Sequence, residues 1–135
     1  MLRFTSSMDF SAVALGTPKQ KQQVYLTVYD RHHTEIAASE IVMIEGDGNY
    51  AIFYFDSGKK LMVSKTLKEY EAILGKYHFV RIHKSYMINL HYLERFDVKY
   101  EDTVLMRNGL RVEVSRRRKK EFQAKALDFI GRLAG

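Results

Sequence analysis

From Val24 the chain falls into short runs in which apolar and polar positions alternate. Val24, Leu26 and Val28 stand against Tyr25, Thr27 and Tyr29, the period of two expected of a half-buried strand. A polar turn follows from Asp30 to His33. Ile41-Val-Met-Ile44 is a short, wholly apolar strand candidate. Gly46-Asp-Gly-Asn49 reads as a turn, and Tyr50 to Phe55 as an aromatic-rich strand. Ser57-Gly58 marks a hairpin before Lys60 to Ser64. Further strands are predicted at Val80–His83, Ile88–Leu90, Leu93–Tyr100, Thr103–Arg107 and Leu110–Val114, with Asn108-Gly109 as the hairpin between the last two.

The period becomes helical twice. Thr66 is a good N-cap with Glu69 three residues on, the spacing of a capping box. Behind it Leu67, Tyr70, Ile73 and Leu74 share one face, and Gly75 supplies a stop. From about Arg116 to Leu133 the positions Phe122, Ala126, Phe129, Ile130 and Leu133 repeat at helical spacing. Residues 1–22 differ from all of this. Ser, Thr, Gly, Gln and Lys dominate, the only proline is Pro18, and Lys19-Gln-Lys-Gln-Gln23 has no apolar face. The expected organisation is a flexible or irregular leader over 1–22 and one domain over 23–135. That domain is mainly β, with small antiparallel sheets, a short central helix and a C-terminal helix.

Composition narrows the function classes. The 135 residues suit one soluble domain, at 46% apolar and 28% charged. The absence of cysteine excludes disulfides and thiolate zinc sites and suits a reducing cytoplasm. No apolar run approaches the roughly 20 residues that span a bilayer, so no membrane association is expected. The net charge of +6 is unevenly placed: residues 1–80 hold nine basic and nine acidic side chains, residues 81–135 thirteen and seven. Such a concentration suits an anionic partner, either nucleic acid or anionic lipid, though a solvated basic surface has the same composition.

Two clusters carry that charge. In Phe79-Val-Arg-Ile-His-Lys-Ser-Tyr-Met-Ile-Asn-Leu90 the alternation stops at His83, Lys84 and Ser85, where the strand should turn. Arg81, two residues before His83, would share its face of the strand. Together they form a patch of donors suited to phosphate oxygens and to the acceptor edge of guanine. The second cluster, Ser115-Arg-Arg-Arg-Lys-Lys120, places Ser115 as the cap of the last helix and five cations in its first turns. Cations there oppose the helix dipole by about 0.3–1 kcal/mol each. A phosphate at that helix end would remove the conflict.

These residues together resemble the LytTR family of bacterial DNA-binding domains, the output domains of many two-component response regulators. Three pieces carry the resemblance: Ile44-Glu-Gly-Asp-Gly-Asn-Tyr50, the stretch from Phe79 to Leu90, and Val112-Glu-Val-Ser-Arg-Arg117. It spans about Val24 to Phe129. It implies an elongated fold of small antiparallel sheets that reads successive major grooves of double-stranded DNA with loops and strand ends. By that analogy Asn49 and Tyr50 lie on the first contact loop. Arg81, His83, Lys84 and Ser85 form the second, and Ser115, Arg116 and Arg117 the third. Arg118 stands where the family often has an aromatic, which tilts the third contact toward backbone electrostatics. The family's paired sites imply a second protomer on adjacent repeats, or side-by-side binding without a stable dimer. A receiver domain would not fit in the 23 residues before Val24, which leaves a stand-alone regulator or an output domain cut from a longer chain.

Each role has a plain alternative. Lys84 is a base contact or an exposed turn lysine; His83 donates to phosphate, orients Lys84, or is a buried structural histidine. Arg81 clamps a phosphate or closes a cross-strand ion pair. Ser85 bonds a phosphate or stabilises its turn, and Asn49 reads a base or a phosphate or is ordinary turn chemistry. Asn89 reads as structural. Tyr86, Tyr92 and Phe96 read as core rather than as stacking platforms for single strands. Enzyme readings find no support: His32-His33 lies in a turn, no HExxH occurs, and Gly46-Asp-Gly-Asn49 lacks the later glutamate of a calcium loop. Neither a cofactor nor a small-molecule substrate is expected. A protein–protein module of the same fold, without productive DNA contact, is the main rival.

Overall fold

In the computed structural model, which describes residues 24–29, 33–96 and 102–134, the alternating runs become ten strands in three antiparallel sheets. A two-stranded ribbon pairs β1 (Tyr25–Tyr29) with β2 (His33–Ala37). The main sheet contains β3 (Ile41–Asp47), β4 (Tyr50–Phe55), β5 (Lys60–Val63), β6 (Phe79–His83) and β7 (Tyr86–Asn89), in the order β5-β4-β3-β7-β6. A third sheet sets β9 (Thr103–Met106) between β8 (Leu93–Phe96) and β10 (Arg111–Glu113). Helix α1 (Leu67–Leu74) follows β5, and α2 (Lys119–Ala134) closes the chain.

The main sheet is covered on both faces, which explains why its middle strand has no polar residue at Ile41–Ile44. On one side Ile41 and Ile44 join Phe53, Met87 and Phe79 under the β1–β2 ribbon and α1, whose Leu67, Tyr70 and Leu74 are buried. On the other side Val42 and Met43 join Val80, Ile82 and Ile88 against the third sheet and Phe122, Ala126 and Phe129 of α2. A bulge between Ile41 and Met43 lets two consecutive residues face the same core.

Several boundaries differ from the sequence reading. His33 begins a strand instead of ending a turn, because it pairs with Tyr29. Gly46 and Asp47 extend β3, leaving only Gly48-Asn49 as the loop. The Asn108-Gly109 hairpin is a three-residue loop: Met106 N–H donates to Leu110 O, and Gly109 takes a φ of 92°. Asp56-Ser57-Gly58 closes in the same way, with φ 95° at Gly58. Thr66 does cap α1, its hydroxyl accepting from Glu69 N–H at 3.2 Å. Ile73, expected on the buried face, is exposed, as is Leu133 in α2. The proposed leader, the strand extension over 97–100, Asp30 to His32 and Glu101 lie outside the described residues.

Asn89 is the one polar residue buried among the described core. Its amide donates to Ile41 O at 3.0 Å, and its Oδ1 accepts from His91 N–H at 3.0 Å, so it ties β7 to the start of β3. Asn89→Leu should strand both backbone partners and lower unfolding free energy by about 1–3 kcal/mol in urea titrations.

Two histidines, His78 and His91, stack on Phe129 of α2. The rings of His78, His91 and Phe129 lie 4.9–5.0 Å apart, and His78 holds a φ of 71°. Both histidines keep some surface in water, yet withdrawal of water within the stack is the largest influence on each. It holds His91, with help from His78 and Arg107, at about 4 against an ordinary 6.5. Between these values the unfolded chain binds more protons, so stability rises with pH across about 4 to 6.5 and is lost on acidification. His91→Gln should flatten the dependence of Tm on pH within that window.

Candidate nucleic-acid interface

Strand direction decides where the expected contact loops lie. β3 runs antiparallel to both β4 and β7, with Asp47 opposite Tyr50 and Glu45 opposite Tyr86; His83 in turn faces Tyr86 across the β6–β7 hairpin. The tips Gly48-Asn49 and Lys84-Ser85 therefore emerge at the same end of the sheet. Gly46 N–H donates to Ser85 O at 2.8 Å and locks them side by side. Two strand spacings separate the hairpin centres, roughly 10 Å. The first tip reaches about 7 Å further out, because β3 continues two residues beyond Glu45. Gly48, at φ 64°, supplies the positive φ this tight loop needs at its first position. Asn49 and Tyr50 are exposed at the tip. At its base Tyr54 donates to Glu45 Oε1 at 2.6 Å; that bond, then burial, pushes the phenol up to about 12.

The third piece joins the second through the backbone. Ser115 N–H donates to Ile82 O at 2.8 Å, and Glu113 approaches His83 Nε2 at 3.7 Å. Ser115 takes the extended conformation of a cap, but its side chain makes no capping bond. A 3₁₀ turn over Arg116–Arg118 precedes α2, so the arginines stand before the α-helix and not within its first turn. The expected conflict with the dipole is smaller for a second reason. Arg118 lies 3.8 Å from Glu71, and Lys119 lies 2.6 Å from Asp102. Among the described residues, the charged groups of Lys84, Arg116, Arg117 and Lys120 meet no hydrogen-bond or ion-pair partner.

The central turn is braced from within. Arg81 donates through Nη1 to Glu71 Oε1 at 2.9 Å, through Nε to His83 O at 3.3 Å, and through Nη2 to Lys84 O. Its side chain is mostly buried. Of the two readings of Arg81, the geometry favours the ion pair, formed with a helix instead of a neighbouring strand. Nor does Arg81 share a contact face with His83: a bulge between them sends Arg81 toward α1 and His83 toward β10. His83 Nδ1 accepts from Ser85 N–H at 3.0 Å, which places the proton of the neutral ring on Nε2. Of the two turn residues, Lys84 is exposed and Ser85 only partly so.

Two further cations were not foreseen. β5 ends at the same edge as the two tips, Val63 standing opposite Ala51, and α1 starts there. A Cβ on Gly46 would come within 2.9 Å of Leu67 Cβ, so the helix start lies directly against β3. Lys65 and Lys68 flank that start. Counting hairpins, each of which reverses the chain, is the signal in the sequence that would have placed them.

Fold and charge together describe a small, mainly β domain with basic side chains gathered near one end of its main sheet. Residues 32–126 match the family model of the LytTr DNA-binding domain, and the chain belongs to this family. A 67-residue stretch is 33% identical to the transcriptional regulatory protein LytR of Staphylococcus aureus, in strains N315 and USA300 alike. That stretch is 48% of this chain and 27% of the relative, so the chain spans about a quarter of the length of the protein it matches. The fold is also that of a LytTr DNA-binding domain from Bacillus cereus, with a TM-score of 0.65 over 75% of this chain and 94% of the other at 21% identity. Among the described residues, no helix is long and apolar enough to cross a membrane.

Proposed function

We propose that the domain binds double-stranded DNA in a sequence-dependent way and serves as a transcription regulator in the bacterial cytoplasm. The observation that carries this reading is the convergence of three loops at one end of the main sheet, with Lys84, Arg116, Arg117 and Lys120 unpartnered among the described residues. Lys84, on a turn whose backbone is held by Arg81 and His83, is suited to the O6 and N7 acceptors of guanine. Asn49 and Tyr50, on the longer tip, would reach the neighbouring part of the duplex. Arg116 and Arg117 offer contacts to phosphate, with Lys120, Lys65 and Lys68 at the margins. Arg81, His83 and Arg118, together with the backbone of Ser85 and Ser115, hold these groups in place. No cofactor is needed, and a second protomer on an adjacent repeat would lengthen the site.

Selection of bound duplexes from a random-sequence pool at about 150 mM salt, where non-specific binding is suppressed, tests the reading. Enrichment of a short motif is the expected result. No enrichment by a folded protein would favour the protein–protein module.

Two measurements resolve the roles. With about six phosphates neutralised, log K should fall against log salt with a slope near −5, and a flat dependence would remove the electrostatic model. Lys84→Ala should weaken the preferred site by about 1–3 kcal/mol and random DNA far less, whereas equal losses would make Lys84 a backbone contact.

A further inference from the structure

Glu71 is the only acidic side chain among the described residues that meets two arginines of the candidate interface. Its Oε1 accepts from Arg81 at 2.9 Å, and its Oε2 lies 3.8 Å from Arg118. Arg81 is simultaneously bonded to the carbonyls of His83 and Lys84. One carboxylate on α1 thus ties the central turn to the 3₁₀ turn that carries Arg116 and Arg117. The two bonds differ in kind. The pair with Arg81 is short and its guanidinium mostly buried. The pair with Arg118 is long, and Glu71 itself is 39% exposed.

We propose that Glu71 is a specificity-setting positioning residue: through Arg81 it fixes the turn that presents Lys84, and through Arg118 it withholds one cation from indiscriminate contact with phosphate. This rests on the DNA-binding reading above. The physical ground is that a mobile cation strengthens binding to every sequence alike, whereas a base contact discriminates only if its backbone is held in register. A carboxylate here subtracts from the first and supports the second. A domain selected only for attraction to a polyanion would gain by losing it.

The test is Glu71→Gln, nearly isosteric, measured against wild type on the duplex enriched by selection and on a random duplex over a range of salt. The ratio of preferred to random affinity should fall about tenfold, the size of one mismatched base pair. The salt slope on random DNA should steepen by about one as Arg118 becomes available. Adding Arg118→Gln should restore the slope but not the ratio, since Arg81 still lacks its partner. An unchanged ratio and slope in a variant that melts like wild type overturns the proposal and leaves the DNA reading intact. Parallel loss on both duplexes also overturns it. Failure of the wild type itself to prefer any duplex overturns the DNA reading, and this proposal falls with it. If Glu71→Gln does not fold, Arg118→Gln alone on the random duplex must leave the slope unchanged, because its cation was already withheld; a shallower slope overturns the proposal.

Discussion

The arrangement depends on β3 being paired along both edges and buried on both faces. A strand so placed cannot slip by one residue, because a slip would exchange the residues entering the two cores. Its register fixes Asp47 opposite Tyr50 and Glu45 opposite Tyr86, and with them the height of both hairpin tips. The bulge at Ile41–Met43 lies at the far end of the strand from the tips, so the irregularity is absorbed away from the candidate interface. Asn89 anchors that far end to β7 by a buried bond, while Gly46 and Ser85 close the near end. The tips continue paired strands and are joined by the Gly46–Ser85 bond.

Gathering cations on one edge has an electrostatic cost, and the protein meets it with single carboxylates. Glu71, Glu113 and Asp102 each stand beside a basic group at or behind the tips. The pairs divide the basic clusters into two populations. Arg81 and Lys119 serve the fold; Lys84, Arg116, Arg117 and Lys120 are exposed and meet no partner among the described residues. Ion pairs at a surface contribute little to stability. Their larger effect here is geometric, since Arg81 fixes two successive carbonyls of the turn, and Lys119 holds the entry of α2 beside β9.

How much of this was legible in the sequence follows from the range of the interactions involved. Tyr50–Phe55 and the Thr66-capped helix were readable because alternation and capping are local. The apolar run at Ile41–Ile44 was readable as a strand, though not its extension to Asp47, since Gly46 looks like a turn residue until it is seen against Leu67. β2 was missed because His33 and Thr34 are polar and acquire strand form only by pairing with β1. For the candidate site, the three motifs were legible as sequence, but not which of their cations the fold pairs internally. Nothing in Arg81 or Arg118 distinguishes them locally from Lys84 or Arg117; the carboxylate that claims both belongs to a helix ten residues before Arg81.

That division follows from where each residue lies on its strand. Arg81 precedes the turn, so its side chain can reach forward along the strand to bond the carbonyls at 83 and 84. Lys84 is inside the turn, and its ammonium has no carbonyl ahead of it to accept. A long, flexible ammonium gains little by being free unless its backbone is fixed, for otherwise the entropy of ordering the turn would be charged against each contact it makes. Arg81 grips the carbonyls and His83 the amide of Ser85, so the turn is already ordered, and in the proposed complex only the Lys84 side chain would still have to be immobilised. The same holds for Arg116 and Arg117, whose turn is fixed to β6 through Ser115. Under the proposed DNA-binding reading, buried and paired cations are thus what would allow exposed neighbours to discriminate.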